Sequence, residues 1–202
     1  MSDQVPERFV EAQRLIESGE YEAATKFCVM LWREGDFHER TLMVRRLLPK
    51  LATSHPPARA EFQSLRDGLT PHLDEPPAYV RWIQLCHALD DGAPVLQWLE
   101  TVDLDARTVQ IAIGDDRVYG FAERAEALGA FARLIDLKRA EADARRQLAD
   151  DPKARHDDSL VMSLVHHFQF ARKALAALGR TEDDARLVAL IETLARDFGP
   201  GA

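Results

Sequence analysis

Apolar residues recur along this chain at intervals of three and four, the spacing of one face of an α-helix, and almost nowhere in strict alternation. Between Glu7 and Ser18, Phe9, Val10, Ala12 and Ile16 mark such a face, and Gly19 ends the predicted helix by supplying a left-handed turn. A second predicted helix carries Tyr21, Ala24, Phe27, Cys28, Leu31 and Trp32 and stops at Gly35-Asp36, so this opening stretch reads as a helical hairpin. The next predicted helix runs from His38 to Ala52, with Leu42, Val44, Leu47, Leu48 and Leu51 buried and Pro49 bending its end. Ser54-His-Pro-Pro has the form of a helix start, because proline is tolerated in the first turn. That helix carries Ala60, Phe62, Leu65 and Leu69 and closes around Gly68-Leu-Thr-Pro.

The pattern continues from Glu75-Pro-Pro with Val80, Trp82, Ile83, Leu85 and Cys86, a turn at Asp91-Gly92, then Val95, Leu96, Trp98 and Leu99. Residues 102–116 fit either a helix capped by Asp105 or a short strand through Val109–Ile113. Helix is preferred, since no second strand exists to pair with it. Beyond Arg117 one helix reaches Leu128 and breaks at Gly129. A longer one, Ala130 to about Ala149, buries Phe131, Leu134, Ile135, Leu137 and Leu148. Residues 150–157 form a polar, proline-bearing linker. Ser159 to Leu178 is helical, Gly179 turns, and Thr181-Glu-Asp-Asp opens a last helix that buries Leu187, Leu190, Ile191 and Leu194; its acidic start complements the positive helix end.

Helices thus come in pairs broken at Gly19, Gly92, Gly129 and Gly179. A repeat of about 34–45 residues is the mark of helical-hairpin arrays, in which each hairpin buries its apolar face only against a neighbour. The expected architecture is all-α, a single helical-repeat domain over residues 1–202 with sub-units 1–101 and 102–202.

Composition agrees. Only 10 glycines, 10 prolines and 7% aromatic residues, beside 46% hydrophobic and 30% charged residues, suit helices and exclude disordered, collagen-like and strand-rich classes. The chain carries 26 basic against 34 acidic residues, a net charge of −8, which disfavours a phosphate backbone as partner. Cys28 and Cys86 sit inside apolar helical patterns and read as small buried hydrophobes of a reducing compartment. The opening MSDQVPERFVEA lacks a basic segment followed by an apolar run, and no stretch approaches 18 apolar residues. A cytoplasmic protein without a membrane partner is expected.

Residues 5–36 resemble a hairpin of the tetratricopeptide type. Ala12 matches the small residue of the first helix, and Gly19-Glu-Tyr-Glu-Ala-Ala matches the turn, with Tyr21 and Ala24 at the packing positions. Cys28 stands where an aromatic residue is common, Leu31 where alanine is, and Asp36 where a closing proline would be. Ala176-Ala-Leu-Gly-Arg-Thr-Glu-Asp-Asp-Ala resembles the same turn with one residue added, and the middle hairpins resemble it in length and turn alone. The resemblance implies a right-handed α-solenoid of stacked antiparallel hairpins and a scaffold that binds a partner peptide along its concave face. Nothing finer follows from a fold analogy.

Candidate chemistry is sparse. His156-Asp157-Asp158 and His166-His167 invite a metal reading, but adjacent helical residues diverge by about 100° and no second ligand stands three or four positions away. Asp157, Asp158 and Ser159 are accounted for as a helix start. Cys86-His87 diverges likewise, and Gly114-Asp-Asp lacks the strand and glycines of a phosphate loop. No cofactor, metal site or catalytic set is assigned. Charge is more informative: Arg40 to Arg66 holds six basic residues against Glu61 alone, so this segment is +5 and the rest −13. Arg45, Arg46 and Lys50, with Arg81 from a following helix, read either as a docking face for an acidic peptide or as a solvated surface. Trp32, Trp82 and Trp98 lie on apolar stripes and are assigned to the core. The expected function is a non-enzymatic adaptor that holds a protein or peptide. A small-molecule-sensing domain and a small metal enzyme using His156 or His166 are the alternatives.

Overall fold

A computed structural model describes residues 7–150 and 158–198. Every regular element among them is helical: α1 Glu7–Glu17, α2 Tyr21–Glu34, α3 Phe37–Arg46, α4 Leu48–Ser54, α5 Pro56–Asp67, a 3-10 turn Thr70–His72, α6 Pro76–Ala88, α7 Ala93–Thr101, α8 Thr108–Ile113, α9 Asp116–Arg124, α10 Leu128–Ala132, α11 Leu137–Asp150, α12 Asp158–Ala177 and α13 Thr181–Phe198. The expected all-α class holds, and 102–116 contains a helix rather than a strand. The chain forms two compact units, 1–94 and 95–202.

Four turns share one geometry. The amide after the turn residue bonds to the carbonyl five positions back, and the turn residue's own amide to the one three back: Glu20 to Leu15 at 2.9 Å and Gly19 to Ile16 at 3.2 Å, with the same pairs at Asp91/Asp90, Ala127/Glu126 and Arg180/Gly179. Gly19 and Gly179 take φ of 79° and 70°, as their patterns require, but the other two turns are made by Asp90 (φ 48°) and Glu126 (φ 55°). Gly92 and Gly129 are therefore not the left-handed breakpoints; Gly129 lies inside α10. A Cβ at Gly19 or Gly179 would meet nothing within 4 Å, so alanine there adds backbone strain and no clash. Each substitution is expected to lower stability by about 1 kcal/mol in chemical denaturation; no loss at either site would remove the left-handed turn from the account.

In the first unit α2 packs on α1, α3, α4 and α5, and α6 packs on α3 and α5. Phe9, Ala12, Leu15, Cys28, Leu31, Trp32, Met43, Leu48, Leu51 and Phe62 fill the core between these helices. Val10 is exposed instead, with Leu15 buried in its place, and Ala60 is exposed where Ala58 is buried. The expected helix 38–52 is split at Leu47, because Pro49 offers no amide to the Arg45 carbonyl and its ring crowds that group. Asp36 opens α3 with a reciprocal cap: its carboxylate accepts from the Glu39 amide at 2.8 Å, and the Glu39 carboxylate accepts from the Asp36 amide at 3.1 Å.

In the second unit α12 is central, packing on α8, α9, α10 and α13, while α11 lies against α13. Phe168, Ala171, Ala174 and Leu175 of α12 meet a core that includes Leu187 and Leu194 from α13. Asp105 does not cap α8, whose preceding residue is Arg107. The expected helix 130–149 is interrupted after Ala132. Arg133 turns to donate to the Leu99 and Val102 carbonyls at 2.7 and 3.1 Å, and Asp136 starts α11 by accepting from the Lys138 and Arg139 amides. The polar linker lies outside the described residues apart from Asp150, which ends α11, and Leu148 is likewise without a described side chain. Trp32, Trp82, Trp98, Cys28 and Cys86 are all buried, as expected. Both cysteines are free thiols, and burial pushes each up to about 12. No helix among the described residues is long and apolar enough to cross a membrane.

Candidate functional site

The sequence between Glu39 and Glu61 contains no carboxylate. Arg45 and Arg46 close α3, where positive charge complements the helix end, and both are exposed. Lys50 is exposed on α4. Arg81, on α6, is half-buried. Among the described residues none of the four makes an ion pair or a side-chain hydrogen bond. Elsewhere the arginines are largely committed: Arg14 to Glu11, Arg117 to Asp115, Arg145 to Glu141 and Asp197, Arg172 to Asp184. Arg59 and Arg133 are used on backbone carbonyls. Arg33, Arg107, Lys138 and Arg196 also lack such partners among the described residues, but they are scattered through the chain.

The structure sets Arg81 beside Arg40, which the charge pattern included in the basic segment but not in the docking set. Burial, and then the Arg81 charge, hold the Arg40 guanidinium below its ordinary value, against Asp36 and Glu39. Those two carboxylates are already engaged in the α3 cap, and Arg40 donates to the Gly35 carbonyl. Arg40 was legible only as one more basic residue, because the partner that makes it notable arrives on α6.

A groove of about 560 Å³ opens in the same unit between α2 and the start of α5. Thr25, Lys26, Val29 and Arg33 line one wall, spaced along a single stripe of α2, and Pro57 and Glu61 line the other. His55 also lines it, stacked on Tyr21 with ring centroids 5.8 Å apart and planes 28° off parallel. No residue of the expected docking set lines this groove.

His166 is exposed on α12, its ring edge-on to Phe170 at 6.2 Å. His167 points elsewhere, against Gly114, where a Cβ would come within 2.2 Å of its Nδ1. The two rings thus diverge. His156 lies outside the described residues, and Asp158 opens α12. Among the described residues no three His, Cys, Asp or Glu side chains gather where they could hold a metal ion.

Burial holds His167 below its ordinary value; a hydrogen bond to the Gln110 backbone opposes the shift and the His166 charge adds to it. The fold therefore favours the neutral ring. Its contribution to stability is whole above the unfolded value near 6.5 and is lost as pH falls through the lower folded value. Between pH 7 and pH 5 the melting temperature of the native chain should fall further than that of His167→Gln, and parallel losses in the two proteins would contradict this.

No protein-family model matches this chain, and no curated protein or solved structure matches it.

Proposed function

We propose that this chain is a non-enzymatic interaction module that binds an acidic partner protein or peptide through the basic face of its first unit, formed by Arg45, Arg46 and Lys50 with Arg81 on the packed helix α6. One observation carries the reading. In a protein with eight more acidic than basic residues, these four cations make no ion pair or side-chain hydrogen bond among the described residues. Mutual repulsion is tolerated when an external anion relieves it, and charge complementarity sets orientation and encounter rate more than raw affinity. The hairpins at the two ends, α1–α2 and α12–α13, fit an α-solenoid of stacked hairpins as the scaffold. The buried thiols fit a reducing, cytoplasmic setting.

The test is charge reversal on the full chain. A fluorescent glutamate-rich peptide should bind the native protein and lose at least tenfold in affinity to Arg45→Glu/Arg46→Glu, while the helical signal shows the variant still folded. Equal affinity for the two proteins, or no binding to the native chain, would remove the basic face as a docking site.

A further inference from the structure

The groove between α2 and α5 has a chemistry of its own, independent of the basic face. Its charged residues balance, Glu22 and Glu61 against Lys26 and Arg33, but they are not equivalent. Lys26 donates to Glu22 at 2.8 Å one helical turn away, so that pair is closed on itself. Arg33 and Glu61 remain, from opposite walls, with no ion pair to each other or to any described group. Val29 and Pro57 share the lining with them, while the Thr25 hydroxyl is committed to the Tyr21 carbonyl at 2.7 Å. The space, about 560 Å³, falls in the range of small-ligand sites, roughly 300–1,000 Å³.

We infer that this groove binds a small zwitterion, a free amino acid or a short peptide, with its carboxylate on Arg33 and its ammonium group on Glu61. A ligand of one sign would meet as much repulsion as attraction from a balanced lining, whereas a zwitterion satisfies the two free charges together. A planar guanidinium suits bidentate recognition of a carboxylate. Val29 and Pro57 give the intervening carbons an apolar surface. His55, stacked on Tyr21, completes the lining.

The experiment is a titration of the full-length, isotope-labelled chain with a panel of free amino acids and dipeptides, followed by amide NMR. The inference expects a saturable response centred on Thr25, Val29, His55 and Glu61. It expects at least tenfold weaker binding to Arg33→Gln and to Glu61→Gln, and at least tenfold weaker binding of the same probe once its amine is acetylated or its carboxyl amidated. No saturable response from any member, or a response indifferent to capping or to both substitutions, would overturn it. The glutamate-rich peptide and Arg45→Glu/Arg46→Glu report on a different surface, so either proposal can fail alone.

Discussion

Replacing Gly114 with alanine should lower the stability of the protein by about 2 kcal/mol, a large loss for one methyl group. The cause is not the backbone: Gly114 has φ −92° and ψ 7°, which alanine adopts without difficulty. The added carbon would lie 2.2 Å from His167 Nδ1, 2.9 Å from Cε1 and 3.0 Å from Cγ. The His167 ring cannot readily withdraw, because it is bonded to the Gln110 backbone and α12 is packed on α8 and α9. A double-mutant cycle isolates the contact. In a His167→Ala background the same glycine substitution should cost less than about 0.5 kcal/mol by denaturant unfolding, within ordinary surface effects. An equal cost in both backgrounds would show that the ring is not what Gly114 accommodates.

The second large effect is expected at Arg66. This side chain is only 8% exposed, yet it bridges Asp67, at 2.8 Å, and Asp91, the residue following the left-handed turn at Asp90. Burial alone would depress its guanidinium; the two carboxylates more than compensate and hold it above the ordinary value. Losing Arg66 leaves the partly buried Asp91 without its cation, while Asp67 stays largely in solvent. Arg66→Ala, which also empties the space beside Ala58 and Phe62 on the same face of α5, should cost about 3 kcal/mol. Arg66→Met keeps most of the apolar stem and should cost less. Denaturation midpoints of the two variants check this. Identical midpoints would mean that the packing of the stem contributes nothing, and a loss below about 1 kcal/mol for alanine would place the network among ordinary surface pairs.

How much of this could be read from residues alone depends on where the cause lies. Long helices with a clean period and a glycine stop were legible: α1 with α2 around Gly19, and α12 with α13 around Gly179. Short elements were not. α8 was read as a helix but with the wrong start, and α10 was merged into a longer helix, because elements of six and five residues give a period too little length to show their bounds. Arg133 breaks the expected 130–149 helix by reaching carbonyls more than thirty positions back. Glu126 and Asp90 show that a left-handed turn can be imposed on a residue that disfavours it when flanking helices fix the path. Pro49 is the opposite case. Its missing amide was visible, and only the severity of the break was underestimated.

The candidate sites divide the same way. Arg45, Arg46 and Lys50 were legible because a run without carboxylates is a property of sequence order. The Arg40–Arg81 juxtaposition was not, since it needs α3 to pack on α6. The α2–α5 groove left one trace, the polar stripe of Glu22, Thr25, Lys26 and Arg33 on a helix whose other face is apolar. Pro57 and Glu61, which complete it, belong to another element. Gly114 and His167 meet through α8 and α12 and carry no sequence signal at all.

The central claim is that the cations of α3 and α4 are left free to receive an acidic partner, and salt tests it most directly. Affinity of the full chain for a glutamate-rich peptide, measured from low to physiological and then high ionic strength, should fall steeply, because exposed charges are screened beyond about 10 Å at 0.1 M salt. Amide shifts should centre on Arg45, Arg46 and Lys50. Binding that ignores salt, or shifts centred on any other surface, would contradict it.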